Sequence, residues 1–324
     1  MAFDRDLLKQ CWFLAGPTAS GKSAAGLSLA ERLGAEILSL DSMAVYRGMD
    51  IGTAKPAPAD RARVAHHLLD IVDPHEEFSV ADYLGLAEKT CREITGRGKI
   101  PLFVGGTGLY LRSILRGLFQ GPASSAEIRT AFEEQARRDG PAALHEQLAR
   151  VDPILADRLH PNDIRRVIRG LEVFEATGRP LSSFQEHAPA PRHDRPPHVY
   201  WLHPPRDLLY ARIDARVDEM LAQGLLAETQ RLVEAPEGLG RTAGAALGYR
   251  ELIEHLAGDL SLAEAVDLIK RRTRQFAKRQ HTWFRNLEEC QAIAITGDEE
   301  PEQLAIEIVN RGERGETILN YKDS

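Results

Sequence analysis

The chain has 324 residues, 43% of them hydrophobic and 27% charged, which suits one large or two ordinary soluble domains and excludes a disordered or fibrous protein. The formal charge of −7 by itself argues against a nucleic-acid ligand, and no apolar run approaches the roughly 20 residues of a membrane span. Cys11, Cys91 and Cys290 have neither metal-ligand nor disulfide-framework spacing, and the opening MAFDRDLLKQ is too polar for a secretory signal, so a reducing, cytoplasmic setting is expected.

Strand and helix signals alternate in the first third. CWFLA reads as a short buried strand, residues 22–33 as a helix, EILSL as a second strand and HLLDIV as a further one. Ser79 with Asp82 forms a capping box that opens a helix running to about Ile94, with Gly96 and Gly98 ending it. IPLFV is another buried strand and ends in the turn Gly105-Gly106-Thr107-Gly108. Strands separated by helices predict an α/β fold with a parallel sheet and right-handed crossovers.

From about Gln120 the texture changes. Helix-period, charged sequence continues to about Leu171 without a strand, and a loop-like stretch rich in Pro, Ser and His runs on to Pro197. VYWLHP then returns as a strand, followed by amphipathic helices. The expected organisation is an α/β core of residues 1–118 and 198–324, carrying C-terminal helices, with an all-helical domain inserted at 119–197. There is no long-period repeat and no low-complexity tract.

Residues 16–23 read GPTASGKS and fit the phosphate-loop pattern G-x-x-x-x-G-K-[ST], in the strand-to-helix context that makes the pattern credible. The core is therefore expected to be a P-loop NTPase-like parallel sheet. Gly16, Pro17, Thr18, Ala19, Ser20 and Gly21 would turn backbone N–H groups around phosphate oxygens, Lys22 would pair with a terminal phosphate, and the Ser23 hydroxyl would help hold Mg²⁺. Asp41 closes the second strand, at the end where parallel sheets place ligands. It can hold Mg²⁺, serve as a general base, or cap the next turn. Thr107 offers a hydroxyl at the end of another strand, within glycines that suit either a close backbone approach or a tight turn.

The basic charge is uneven. Residues 270–285, KRRTRQFAKRQHTWFR, contain no acid, and the interleaved Phe276, Trp283 and Phe284 are expected to anchor this helix while its cations face a polyanion. Arg165, Arg166 and Arg169 include an i, i+4 pair on one helix face, equally suited to RNA phosphates or to solvent. His66, His67 and His281 show no metal-ligand pattern.

GPTASGKS, DSMAVYRGMDIGTAKP, FVGGTGLYL, HPNDIRRVIRGLEV, LGYRE and KRQHTWFR occur in that order across most of the chain. This ordered set resembles the tRNA dimethylallyltransferases, the tRNA isopentenyltransferase family. It lacks the zinc-finger extension of the eukaryotic members and so looks bacterial in type. The resemblance implies transfer of a dimethylallyl group from dimethylallyl diphosphate to N6 of the adenine beside the anticodon of tRNA, with Mg²⁺, by a monomer that binds the anticodon stem-loop. It assigns Asp41 as base or acceptor for the amine, sets Thr107 beside the reacting centre and places Arg129 near the diphosphate or the RNA. It implies tRNA contacts at Asp41, Ser42, Met43 and Ala44; at Arg165, Arg166, Val167, Ile168 and Arg169; at Ala245, Ala246, Leu247, Gly248, Tyr249 and Arg250; and at Lys278, Arg279, Gln280, His281, Thr282, Trp283, Phe284 and Arg285. Members often carry Gln where this chain has Ala44, and Asp near Ser125. An isopentenyltransferase of free AMP or ATP, and more distantly a P-loop small-molecule kinase, are the rivals. The long insertion and the acid-free basic segment favour tRNA over both.

Overall fold

In the computed structural model, residues 3–118, 121, 126–184, 189 and 191–314 are described. Six parallel strands form one sheet in the order β3-β2-β4-β1-β5-β6, with β1 at Trp12–Ala15, β2 at Ala35–Leu40, β3 at His66–His67, β4 at Ile100–Gly105, β5 at His198–His203 and β6 at Gln291–Ala294. The chain leaves β1 toward β2 on one side and comes back through β5 on the other. The loop after β1 therefore lies where the connections diverge, the usual crevice of a doubly wound sheet.

Alternation along the strands sets two apolar faces. Trp12, Leu14, Ile37, Leu102, Tyr200, Leu202 and Ile293 pack with the helices Lys22–Leu33 and Pro301–Arg314. Phe13 and Phe103 alternate to the other face and stack with ring centroids 4.8 Å apart. The helix Val80–Gly96 starts with the expected capping box and anchors itself through the Tyr83 hydroxyl, which donates to the Ser39 carbonyl at 2.9 Å.

HLLDIV is a strand only at its first residue. Leu68 and Asp70 adopt left-handed φ values of 62° and 55°, which end the ladder after His67, and only Val72 rejoins it as a single bridge to Tyr46. Asp70 is held in that turn by Lys55 at 2.6 Å and Arg61 at 2.9 Å. A run of apolar residues does not reveal such a twist, because the ion pairs that fix it come from residues 9 to 15 positions away.

Where described, residues 117–184 form one compact unit, and residues 3–116 with 189–314 the other. The smaller unit is helical where described, with helices Ala126–Asp139, Pro141–Val151, Pro153–Arg158 and Ile164–Thr177 around Phe132, Leu144, Leu148, Leu155, Val167, Ile168 and Leu171. Residues 189–197, expected in the insertion, belong to the sheet-containing unit. Ser125 lies outside the described residues.

Gly105 is needed for close approach. A Cβ there would overlap the Leu40 carbonyl across the β2–β4 ladder, a contact with backbone that cannot swing away. Gly105→Ala is expected to cost about 1–3 kcal/mol. Gly96→Ala, at a helix end with open space around it, should change stability by less than about 1 kcal/mol. Urea unfolding of both variants checks the contrast, and equal losses would contradict it.

Candidate active site

The site begins where β1 runs into residues 16–23. Ala19 and Gly21 have left-handed φ values of 63° and 85°, which curl the loop at the start of the helix Lys22–Leu33, while the Ser20 N–H between them donates to the Pro17 carbonyl at 3.2 Å. The resulting concavity, together with the helix N-terminus, favours an anion. Pro17 and Gly16 are buried beneath it, and the Ser20 hydroxyl is buried without a partner. Lys22 is half-buried, its Nζ donating to the Pro17 carbonyl at 3.2 Å. Burial and the Arg216 charge lower its pKa to about 8, while Asp41 opposes the shift.

Asp41 follows β2. Its Oδ1 accepts the N–H groups of Met43 (2.8 Å) and Ala44 (3.3 Å), so it does cap the next turn. Its Oδ2 has no hydrogen-bond partner among the described residues and remains open as an acceptor. Thr107 follows β4, and its Oγ1 accepts the Ser42 N–H at 3.0 Å, which ties the Asp41 turn to the end of β4. The capping reading and the chemical reading of Asp41 are therefore compatible, because each uses a different oxygen.

Arg216, on the helix Arg206–Ala222, carries no sequence signal beyond membership of an amphipathic helix. It lines the same cavity as Lys22 and Asp41, about 830 Å³ in volume. It makes no hydrogen bond or ion pair among the described residues. Burial lowers its pKa, and Asp41 and Glu219 oppose this, but a guanidinium stays charged. Lys22, Arg216 and the open oxygen of Asp41 thus share one cavity beside the loop, whose wall also carries Lys55, Arg63 and Arg279.

The donor set fits Mg²⁺, a hard cation that takes oxygen ligands and keeps most of them from water and phosphate. Ser23 presents an exposed hydroxyl on the first turn of the helix, and Asp41 lines the same cavity. Among the described residues no three His, Cys, Asp or Glu side chains form a metal cage, so an ion here would draw on a ligand's own phosphate oxygens.

Several residues singled out as RNA contacts are buried. Tyr249 is fully buried, its hydroxyl donating to Glu228 at 2.7 Å. Glu228 also accepts the N–H groups of Asp50, Ile51 and Gly52, so Tyr249 and Glu228 together fasten the DIGTAKP loop. Ala246 and Ala44 are buried as well, and Ala245, Leu247 and Gly248 join them in the cavity wall. Ala245 and Arg250 of that segment are exposed, and Arg250 pairs with Glu254 at 2.9 Å. In the helical unit Val167 and Ile168 are core residues. Arg169 and Arg129 pair with the buried Glu172 at 2.9 and 3.4 Å, and Arg166 pairs with Asp163. Arg165 is exposed.

The basic segment lies on the helix Leu262–Arg285 and is compensated in space. Lys270, Arg272 and Arg274 pair with Asp218, Glu251 and Asp214 of other helices, at 2.6, 2.5 and 2.5 Å. Lys278, Arg279, Thr282 and Arg285 are exposed. Of the three aromatic residues only Phe284 is buried in the core, since Phe276 and Trp283 are 38% and 37% exposed. His281 Nε2 lies 2.8 Å from His203 Nε2. Burial, then the nearby His203, Arg285 and Arg206, lower its pKa to about 4. It is therefore neutral at physiological pH and offers RNA no positive charge. Gln280 is buried and points inward.

Comparison with known proteins decides the family. The model described as IPP transferase matches residues 44–287, and one described as isopentenyl transferase matches residues 9–70. The chain belongs to the IPP transferase family. It is 52% identical over 273 residues to a tRNA dimethylallyltransferase of Geobacter metallireducens, covering 83% of this chain and 87% of that protein. It is 44% identical over 301 residues to that of Pelotomaculum thermopropionicum, covering 91% and 94%. The crystal structure of the tRNA isopentenylpyrophosphate transferase of Bacillus halodurans superposes with a TM-score of 0.68 at 38% identity, covering 94% of this chain and 97% of that one. A eukaryotic dimethylallyltransferase captured acting on tRNA gives 0.77 at 28% identity, covering 96% and 81%. In the described part of this IPP transferase no helix is long and apolar enough to cross a membrane.

The lowered pKa of Lys22 makes anion binding pH-dependent in a defined direction. The ammonium is present below about pH 8 and lost above it, so affinity for inorganic diphosphate should hold below that value and fall as pH rises through it, by at most about tenfold per unit. Calorimetric titration across this range, with Lys22→Met as the reference for the ligand's own titration, checks it. A wild-type profile parallel to that of Lys22→Met would contradict the assignment.

Proposed function

We propose that this protein moves a dimethylallyl group from dimethylallyl diphosphate to the N6 amine of the adenine beside the anticodon of a tRNA, in the cytoplasm. The observation that carries this reading is the sharing of one cavity by Lys22, Arg216 and the open oxygen of Asp41, beside the loop that turns at Ala19 and Gly21. As the allylic C–O bond breaks, its electron pair leaves with the diphosphate. Lys22, Arg216 and the loop N–H groups hold that growing charge where water is partly excluded, so they act strongly and without reorganising. The new bond forms between N6 and the allylic carbon. The amine's surplus proton passes to Asp41 Oδ2, while Oδ1 stays committed to the turn and fixes the direction of the free oxygen. Mg²⁺ held by Ser23 and the diphosphate oxygens would add further charge neutralisation at the leaving group.

An adenine in a stacked loop must be extruded to enter such a cavity. The exposed cations Lys278, Arg279 and Arg285 stand on the helix whose inner face borders the cavity, which suits phosphate contacts around an entering base. Lys270, Arg272 and Arg274, already paired with acids, are left out of that footprint.

Asp41→Asn should slow the chemical step by about 10²–10⁴ and weaken tRNA binding far less, since phosphate contacts dominate affinity. Single-turnover kinetics with a parallel binding titration separates the two, and equal losses would make Asp41 a recognition residue instead. Lys278→Ala or Arg285→Ala should lower the slope of log affinity against log salt by roughly 0.7–0.9 for every tRNA tested. Arg272→Ala should leave that slope unchanged. If unchanged slopes were found for Lys278→Ala and Arg285→Ala in folded proteins, the small-molecule isopentenyltransferase would be favoured.

A further inference from the structure

Gln280 sits in the middle of the basic segment, yet its side chain turns away from solvent and is 4% exposed. Both ends of its amide are committed. Oε1 accepts the Thr18 N–H at 2.9 Å, and Nε2 donates to the Gly106 carbonyl at 2.8 Å. One side chain therefore joins the phosphate loop after β1 to the turn after β4, from a helix whose neighbouring residues Lys278 and Arg279 face outward.

Gly106 and Gly108 of the turn after β4 follow from the approach of this helix, as Gly105 does from that of Leu40. Gly105, Gly106 and Gly108 are absent from the left-handed φ region, so the turn does not need glycine for its backbone. A Cβ on Gly106 would instead overlap Gln280 Nε2, and one on Gly108 would come within 2.7 Å of Trp283 Cγ. The glycines clear a path by which the helix Leu262–Arg285 can reach the strand ends. The orientation of the Thr18 N–H has a further consequence. The Ser20 N–H of the same loop is spent on the Pro17 carbonyl at 3.2 Å and the Thr18 N–H on this side chain, so Thr18 cannot coordinate phosphate without breaking the bond to Gln280.

We propose that Gln280 is a positioning residue for the diphosphate loop and not an RNA contact. It fixes the conformation of Thr18 and its neighbours, and it holds the loop at a set distance from Thr107, which in turn supports the Asp41 turn through Ser42. This rests on the proposed diphosphate and tRNA substrates. Removing the amide leaves a buried N–H and a buried C=O unsatisfied at the place where the leaving group is held, a local penalty that falls on diphosphate binding.

The test measures the two substrates separately. Gln280→Met keeps the length and loses both hydrogen bonds, and Gly106→Ala displaces the amide without touching Gln280. Both are expected to raise the KM for dimethylallyl diphosphate and the dissociation constant for inorganic diphosphate about tenfold or more, the scale of one or two hydrogen bonds. The tRNA dissociation constant and its salt slope should stay within about twofold of wild type, and Lys278→Ala, at an exposed residue outside the cavity lining, should show the reverse pattern. Weakened tRNA binding with intact diphosphate binding in Gln280→Met would overturn the proposal. Wild-type protein that binds neither substrate would instead remove the functional reading on which it rests. Should both variants fail to fold, amide exchange of the wild-type protein decides. Thr18 N–H is expected to be protected before diphosphate is added, as is Ser20 N–H through the Pro17 carbonyl, with the Ala19 and Gly21 N–H groups protected only afterwards. Protection of Thr18 that appears only with diphosphate would contradict the proposal.

Discussion

Lys22 and Arg216 share with the open oxygen of Asp41 a cavity that is only partly open to water, and their unbalanced charge organises this part of the molecule. Lys22 and Arg216 each suffer from burial, and the Arg216 charge further lowers the Lys22 pKa. Asp41 offsets part of this, but its Oδ1 is already used by the turn that follows it. The excess positive charge is relieved by a ligand with more than one negative charge, and the N–H cradle of the loop after β1 gives that ligand a fixed place. Parallel pairing of β1, β2 and β4 brings the loop, Asp41 and Thr107 to one edge of the sheet. The helices from the second half of the chain close the cavity with Arg216, Gln280 and the segment from Ala245 to Tyr249.

The chain reads most clearly where its signals are local. The phosphate loop, the Ser79 capping box and the strand after Gly98 are each written within a few consecutive residues, and the fold keeps all three. Asp41 and Thr107 are legible because they end strands. Arg216 and Gln280 are not, since nothing near them in sequence shows that one faces a cavity or that the other reaches two loops, 174 and 262 residues away. The basic run misleads for a related reason. Its acids are present, but on Asp214, Asp218 and Glu251, which approach only after the helices pack. Of the residues that the family resemblance sets at the RNA, Tyr249 is buried in the cavity wall through Glu228, and Phe284 is buried against Trp201.

A division of labour follows along the helix Leu262–Arg285. Its first half is tied into the core by ion pairs and by Ala265 and Ile269, its inner face meets the phosphate loop through Gln280, and its last turns expose Lys278, Arg279 and Arg285. A single rigid element thus borders both the leaving-group site and the surface suited to a polyanion. Such an arrangement suits a reaction in which a small charged donor and a large charged acceptor must meet at one atom, because orientation is supplied by the scaffold before either arrives.

The most direct measurement offers dimethylallyl diphosphate and Mg²⁺ to the purified protein with tRNA, AMP or ATP in separate reactions, and identifies each product by mass. The account predicts one added dimethylallyl group on an adenine of tRNA, released diphosphate, and no prenylated AMP or ATP. Prenylated mononucleotide without prenylated tRNA, or a phosphorylated product, would contradict it.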